Sequence, residues 1–167
     1  MRIRRLQYEV PVQSPPHFLG TTTFAIIVEP YLKRPRVLLV DDMPEILALC
    51  ADVLRSTCDV VGTALDGMSV IAAVEKTAPD VLVLDISMPG LNGVEVARLL
   101  RSAGCRAAIV FLSGDLDFMT ADMEFMTTAL QAGGSGFVAK RLISSDLPVA
   151  IREALAGRVF VSASRPG

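Results

Sequence analysis

From Arg36 onward, short continuous apolar runs alternate with longer stretches whose apolar residues recur at helical spacing. "RVLLVDD" (36–42) runs through four apolar residues into a pair of acids, the pattern of a strand buried on both faces. "PEILALCADVLRS" (44–56) then sets Ile46, Leu47, Leu49, Cys50, Val53 and Leu54 on one helical stripe, with Pro44 suited to the first turn. The alternation repeats: "DVVGTAL" (59–65) predicts a strand, "GMSVIAAVEKTA" (67–78) a helix, "DVLVLD" (80–85) a strand and "GVEVARLLRSAG" (93–104) a helix. "AAIVFLSG" (107–114), a helical stretch from about 116 to 132, "GFVAK" (136–140) and "SDLPVAIREALAG" (145–157) complete the pattern. Strands that alternate with helices predict parallel strands joined by right-handed crossovers. The expected fold is α/β, a doubly wound sheet of five parallel strands with helices on both faces, for which the flavodoxin-like order 2-1-3-4-5 is assumed.

Residues 1–35 break this regularity. They hold five of the ten prolines and no sustained period of either 2 or 3.6. They read as an N-terminal extension, expected to be flexible, in which "TTTFAIIV" (21–28) has the composition of an added edge strand. A wrongly assigned start codon is another reading of the same segment. The folded domain is expected over 36–161, with 162–167 as a tail or linker stub.

A length of 167 residues suits one domain with a substantial core, and 51% hydrophobic against 20% charged residues places the chain with globular proteins. The net charge of −2 is unevenly divided, with six Lys and Arg against two acids in residues 1–36 and ten against sixteen in the remainder. That acidic remainder has no basic stripe with interleaved aromatics, so direct DNA binding is not expected. Cys50, Cys58 and Cys105 lack CxxC spacing and His17 is the single histidine, which argues against a zinc site and for reduced thiols. No apolar run approaches the roughly 20 residues that span a bilayer. Arg2, Arg4 and Arg5 imitate the start of a signal peptide, but Glu9, Pro11, Pro15 and Pro16 interrupt any apolar region behind them. A cytoplasmic protein without membrane partners is the expectation.

In the 2-1-3-4-5 order the first and third strands are neighbours, and ligands bind outside their carboxyl ends. Asp41 and Asp42 would then lie beside Asp85, three carboxylates in one cleft. Two unit charges about 4 Å apart repel by roughly 4 kcal/mol at an effective dielectric near 20, so something positive should offset them. A hard divalent cation with oxygen ligands and a lysine both fit, and Lys140, ending "GFVAK", reaches the same rim. Ser113, at the end of "IVFLS", adds a hydroxyl there. Taken singly, an Asp after a strand is most often a turn or cap residue, and a lone Ser or Lys is blander still. Polar chemistry at four strand ends on one rim is a different matter. A carboxylate beside Mg²⁺, a lysine and a hydroxyl can attack a phosphoryl donor to form an aspartyl phosphate. Asp85 is the best nucleophile, because its strand is central and the following turn exposes it. Asp41 and Asp42 look like a metal clamp.

With these residues in place, the chain resembles a bacterial response regulator receiver domain, the phosphoacceptor half of two-component phosphorelay signalling. The likeness covers about 36–161 and rests on "VLLVDDMPE", "DVLVLDISMPGLNGVEVARLL", "IVFLSG" and "AGGSGFVAK", in order and near the family's spacing. The stretch "AIREALAGRVFVS" further resembles the NarL/FixJ-type branch. The resemblance implies that Asp85 is phosphorylated by a sensor histidine kinase or phosphotransfer protein, and that Asp41 and Asp42 form the acidic pair around Mg²⁺. It also implies that Ser87 offers its main-chain carbonyl to the metal, that Ser113 reads the phosphoryl group, that Lys140 binds it, and that Phe137 is an aromatic switch. A homodimer belongs to the same set of expectations.

Three features depart from the family's pattern. Ser113 and Lys140 lie further apart than usual, the excess falling in "DLDFMTADMEFMTTALQAGG", so the fourth helix or its entry loop must be longer. Met119, Met123 and Met126 form a helical stripe, read as core rather than as an adaptable binding surface. The third is that no output domain follows, which fits either a stand-alone receiver or a fragment of a longer regulator. Two other functions compete. A receiver-like scaffold would signal by protein binding without phosphorylation. A phosphatase of haloacid-dehalogenase type would need an acid two residues after the nucleophile, where this chain has Ser87. The chain is therefore not expected to be an enzyme beyond phosphorylating itself from a donor and slowly losing that group.

Overall fold

Successive residues of a β-strand point to opposite sides of the sheet, and in the central strands here both sides are apolar, so both must be covered. The computed structural model describes residues 33–114 and 123–162. In chain order the elements are β1 (Arg36–Val40), α1 (Pro44–Leu54), β2 (Asp59–Ala64), α2 (Ser69–Thr77), β3 (Val81–Asp85) and α3 (Gly93–Ser102). They continue as β4 (Ala108–Ser113), α4 (Met123–Gln131), β5 (Gly134–Ala139), a 3-10 turn (Lys140–Leu142), α5 (Ile143–Leu155) and β6 (Phe160–Val161). The sheet is parallel throughout, in the order β2-β1-β3-β4-β5-β6.

Strand parity sorts the core into two layers. Val37, Leu39, Val83 and Leu112 pack against α1 and α5, whereas Leu38, Leu82, Phe111 and Phe137 pack against α2, α3 and α4. Each fully buried Leu or Phe of these layers contributes about 1.5–3 kcal/mol relative to an exposed one. Between elements, local chemistry sets the boundaries. Pro44 opens α1. Asn92 caps α3 in a reciprocal box with Glu95, each side chain accepting the other's main-chain N–H at 3.0 Å. α2 ends at Ala78 in the left-handed region (φ 41°), before Pro79, and the Arg36 guanidinium donates to the freed carbonyls of Thr77 and Ala78.

The expected fold class and strand order are observed, with three differences of detail. A sixth, two-residue strand lies outside β5. Leu49 is exposed, because α1 turns only Leu47, Cys50 and Leu54 fully into the core. α5 begins at Ile143, two residues before the expected start, which puts Pro148 inside the helix: Ile143 and Leu147 are buried, and the 3-10 turn runs straight into them. Near the N-terminal boundary, Arg34 pairs with Asp59 at 3.3 Å and donates to the carbonyls of Arg55 and Cys58, while Pro35 accepts the Asp59 N–H. The strand candidate at 21–28 and residues 115–122 of the long fourth unit lie outside the described residues. Among the described residues no helix is long and apolar enough to cross a membrane.

Candidate functional site

Parity also decides which polar residues meet at the carboxyl rim. Asp41 continues the series Val37, Leu39, Asp85 the series Val81, Val83, and Lys140 follows two residues after Val138, all on the side of α1 and α5. Their side chains do converge. Lys140 Nζ lies 2.8 Å from Asp41 Oδ2 and 3.1 Å from Asp85 Oδ1. Lys140 is not the last residue of its strand, as the sequence suggested; it opens the 3-10 turn one residue later. Ser113 continues the opposite series of Ile109 and Phe111. It is buried at the end of β4, in register with Ala139 and one residue further toward the rim than Leu112, the partner of Asp85.

Both central carboxylates are buried. Asp41 Oδ1 accepts the Met43 N–H at 2.9 Å, an Asx-type turn that orients the group. Asp41 Oδ2 and both oxygens of Asp85 receive no well-directed hydrogen bond among the described residues. Lys140 meets two of these oxygens as a charge at ion-pair distance rather than as an aligned donor. Asp42 is exposed at the mouth, and one oxygen from each of Asp41, Asp42 and Asp85 lie within 4.8 Å of one another. Three carboxylates against one ammonium leave two negative charges uncompensated. Hard oxygen donors crowded together with that surplus of negative charge fit a divalent cation of the Mg²⁺ class.

The electrostatics follow from this crowding. Burial, and then the charge of Asp41, push the Asp85 carboxyl above its ordinary value, while Lys140 and the Ser87 main-chain N–H pull it back only in part. Burial works against the Lys140 ammonium, but Asp41 and Asp85 outweigh it and hold the lysine more firmly protonated than usual. Cys50, on the face of α1 that covers the pocket floor, is pushed up to about 12 by burial and the Asp41 charge.

The loop after Asp85 is held in place by the backbone. Ile86 N–H donates to the Leu112 carbonyl, and Gly93 N–H to the Ile86 carbonyl, each at 3.0 Å. A Cβ at Gly93 would stand 2.2 Å from the Asp85 carbonyl oxygen, so only glycine lets α3 start this close to the candidate nucleophile. Sequence reasoning did not single out Gly93; its one signal was a glycine directly after an Asn cap. Ser87 is exposed in this loop. Phe137 is fully buried, its ring 5.6 Å from that of Phe111 across the β4–β5 ladder. Of the methionine stripe, Met126 packs half-buried against the α2–α4 side of the core, as expected; Met119 and the side chain of Met123 lie outside the described residues.

Residues 37–152 match the family described as the response regulator receiver domain. The chain is 33% identical over 128 residues to the nitrate/nitrite response regulator protein NarL of Escherichia coli, covering 75% of this chain and 57% of that protein. It is 32% identical over 127 residues to the transcriptional regulatory protein PrrA of Mycobacterium leprae, covering 76% and 52%. Among solved structures, a two-component response regulator of the LuxR family from Aurantimonas sp. SI85-9A1 superposes with a TM-score of 0.67 at 30% identity, covering 75% of this chain and 88% of that one. The response regulator domain of Thermotoga maritima CheB gives 0.65 at 27% identity, covering 73% and 96%. The chain thus spans a little over half the length of the curated relatives it matches. With the fold, the acidic pocket and these matches in agreement, the chain belongs to the response regulator receiver domain family.

Proposed function

We propose that this chain is the phosphoacceptor of a two-component phosphorelay, taking a phosphoryl group on Asp85 from a histidine kinase or phosphotransfer protein in a Mg²⁺-dependent reaction. The observation that carries this reading is the meeting of Asp41, Asp85 and Lys140 around buried carboxylate oxygens that lack directed hydrogen bonds. An Asp85 oxygen attacks phosphorus as the P–N bond of a phosphohistidine breaks, and the donor imidazole, protonated on its other nitrogen, leaves as the neutral ring. Lys140 neutralises a phosphoryl oxygen, and the Ser113 hydroxyl donates to another. Asp41, Asp42, Asp85 and the Ser87 carbonyl would hold the Mg²⁺, which when bound supplies positive charge to the carboxylates and the phosphoryl oxygens. Phe137 responds through its contact with Phe111 and biases a protein-binding surface between two arrangements.

Ser87 stands where a phosphatase would place its general acid, so the chain turns over no external substrate and only slowly hydrolyses its own acyl phosphate. Its output passes through protein contacts, including a homodimer, in the cytoplasm of a bacterium. Incubation with acetyl phosphate and Mg²⁺, followed by intact mass, tests the reading. Wild-type chain should gain one phosphoryl group, and Asp85→Asn none; a label retained by the variant moves the site elsewhere. Hydrolysis of an added phosphomonoester would contradict the exclusion of a phosphatase.

A further inference from the structure

Beyond α5 the chain turns at Gly157 and lays β6 along the outer edge of β5, pairing Gly136 with Phe160 and Phe137 with Val161. The crossover that does this has the opposite hand to the others. α1 covers one side of the sheet and carries the chain from β1 outward to β2; α5 covers that same side but carries it the other way, from β5 to β6. α2, α3 and α4 advance in the direction of α5 on the opposite side. Their crossovers and that of α1 share one hand, and β5–α5–β6 has the other, an arrangement nearly absent from parallel sheets because strand twist opposes it. β6 is also only two residues long. It is held by the few bonds it makes, not by the logic of the fold.

Those bonds converge on the last residues of β5, just before the lysine. Ser162 N–H donates to the Phe137 carbonyl at 2.9 Å. Ser162 Oγ accepts the Ala139 N–H at 3.4 Å and donates to Asp146 Oδ2 at 2.6 Å. A carboxylate can only accept, so Asp146 takes the hydroxyl proton and leaves a lone pair for Ala139. Ser162 is buried, and Phe160 packs half-buried against the α1/α5 side of the core. Ala139 is bonded directly to Lys140, whose Nζ bridges Asp41 and Asp85.

We propose that β6 is a latch on the edge of β5, closed by Ser162 and Asp146, that positions the end of β5 at Ala139, the residue before Lys140, and is loosened when a phosphoryl group occupies Asp85. The proposal rests on the phosphoacceptor reading above. Nζ stands 3.1 Å from Asp85 Oδ1, in space that a phosphoryl group on that carboxylate would claim. The ammonium must therefore give way, and the inferred shift reaches the backbone at Ala139, which Ser162 holds in the unmodified arrangement. Release of β6 bares the main chain of β5, an edge able to pair with a strand of a partner. The coupling is reciprocal: if occupancy opens the latch, an open latch favours occupancy by the same factor.

Amide hydrogen exchange on the full chain tests this, with beryllofluoride and Mg²⁺ as the phosphoryl mimic and fluorine NMR to report its binding. With the mimic bound, the Ala139 and Ser162 amides should exchange at least about fivefold faster. Ser162→Ala should speed Ala139 exchange without the mimic and bind the mimic about fivefold more tightly, and Asp146→Ala should shift both in the same direction. A merely structural role would weaken binding instead. Bound mimic with unchanged or slower exchange at Ala139 overturns the latch and leaves the phosphoacceptor reading standing. So does weaker or unchanged mimic binding by both variants. Absence of any bound fluorine signal in the wild type overturns both.

Discussion

Replacing Asp85 by Asn should make the protein more stable when no divalent cation is present. At an effective dielectric near 20, the attraction between Asp85 and Lys140 across 3.1 Å is worth about 5 kcal/mol. Repulsion from Asp41, whose nearest metal-facing oxygen is no more than 4.8 Å away, takes back about 3.5 kcal/mol. The charges thus return about 2 kcal/mol, whereas removing an ion from water into a buried site costs several kcal/mol even after relaxation. The balance disfavours the anion, which is why burial and Asp41 raise the Asp85 carboxyl above its ordinary 3.8. An acid raised in the folded state supports folding below its unfolded value, and that support is lost as pH climbs through the raised folded value. Above that raised value the wild type therefore carries the cost. The Asn variant should gain about 1–2 kcal/mol, a rise of about 3–8 °C in Tm. Urea and thermal unfolding followed by far-UV circular dichroism, with and without Mg²⁺, measure it. Mg²⁺ at about ten times its Kd adds about 1.4 kcal/mol to the wild type and less to the variant, which has lost one of three carboxylates, so the gap should narrow. If Asp85→Asn is less stable than the wild type in metal-free buffer, the lysine outweighs desolvation and the electrostatic account of the pocket fails.

Three further outcomes follow from the packing. Gly93→Ala drives a methyl group into the Asp85 carbonyl, a backbone atom that cannot swing away, and should cost about 1–3 kcal/mol and slow acetyl-phosphate labelling; an unchanged urea midpoint with unchanged labelling would refute the positioning role. Phe137→Ala empties the space beside Phe111 and should lower stability by about 3–5 kcal/mol in the same unfolding assay, whereas a loss under about 1 kcal/mol would mean the ring is not packed as described. Alkylation of the native protein, read by peptide mass, should reach half-buried Cys105 well before Cys50, whose buried thiol sits at about 12; equal rates would show that α1 opens readily.

Much of the site is local in origin and was legible as such. The apolar runs before Asp41 and Asp85 mark strands buried on both faces, and an acid ending such a run must lie at a sheet rim. Alternation of strands and helices pointed to a doubly wound parallel sheet, while the order 2-1-3-4-5 was an assumption that the sheet bears out. The tertiary structure decided what depends on partners distant in sequence. Lys140 lies far along the chain from both Asp41 and Asp85, and only strand register brings its ammonium between them. Gly93 looked like a helix-start residue until its missing Cβ was seen to make room for the Asp85 carbonyl. Leu49 sits on the apolar stripe of α1, yet the helix meets the sheet over an arc too narrow to cover it. β6 was the least visible of all, because two residues carry no period and the crossover leading to them runs against the usual hand. Short-range periodicity is enough for five strands, the helices between them and the acids at the rim; the pairing of charges, the required glycine and the edge strand on β5 arose only where the folded backbone set distant residues in contact.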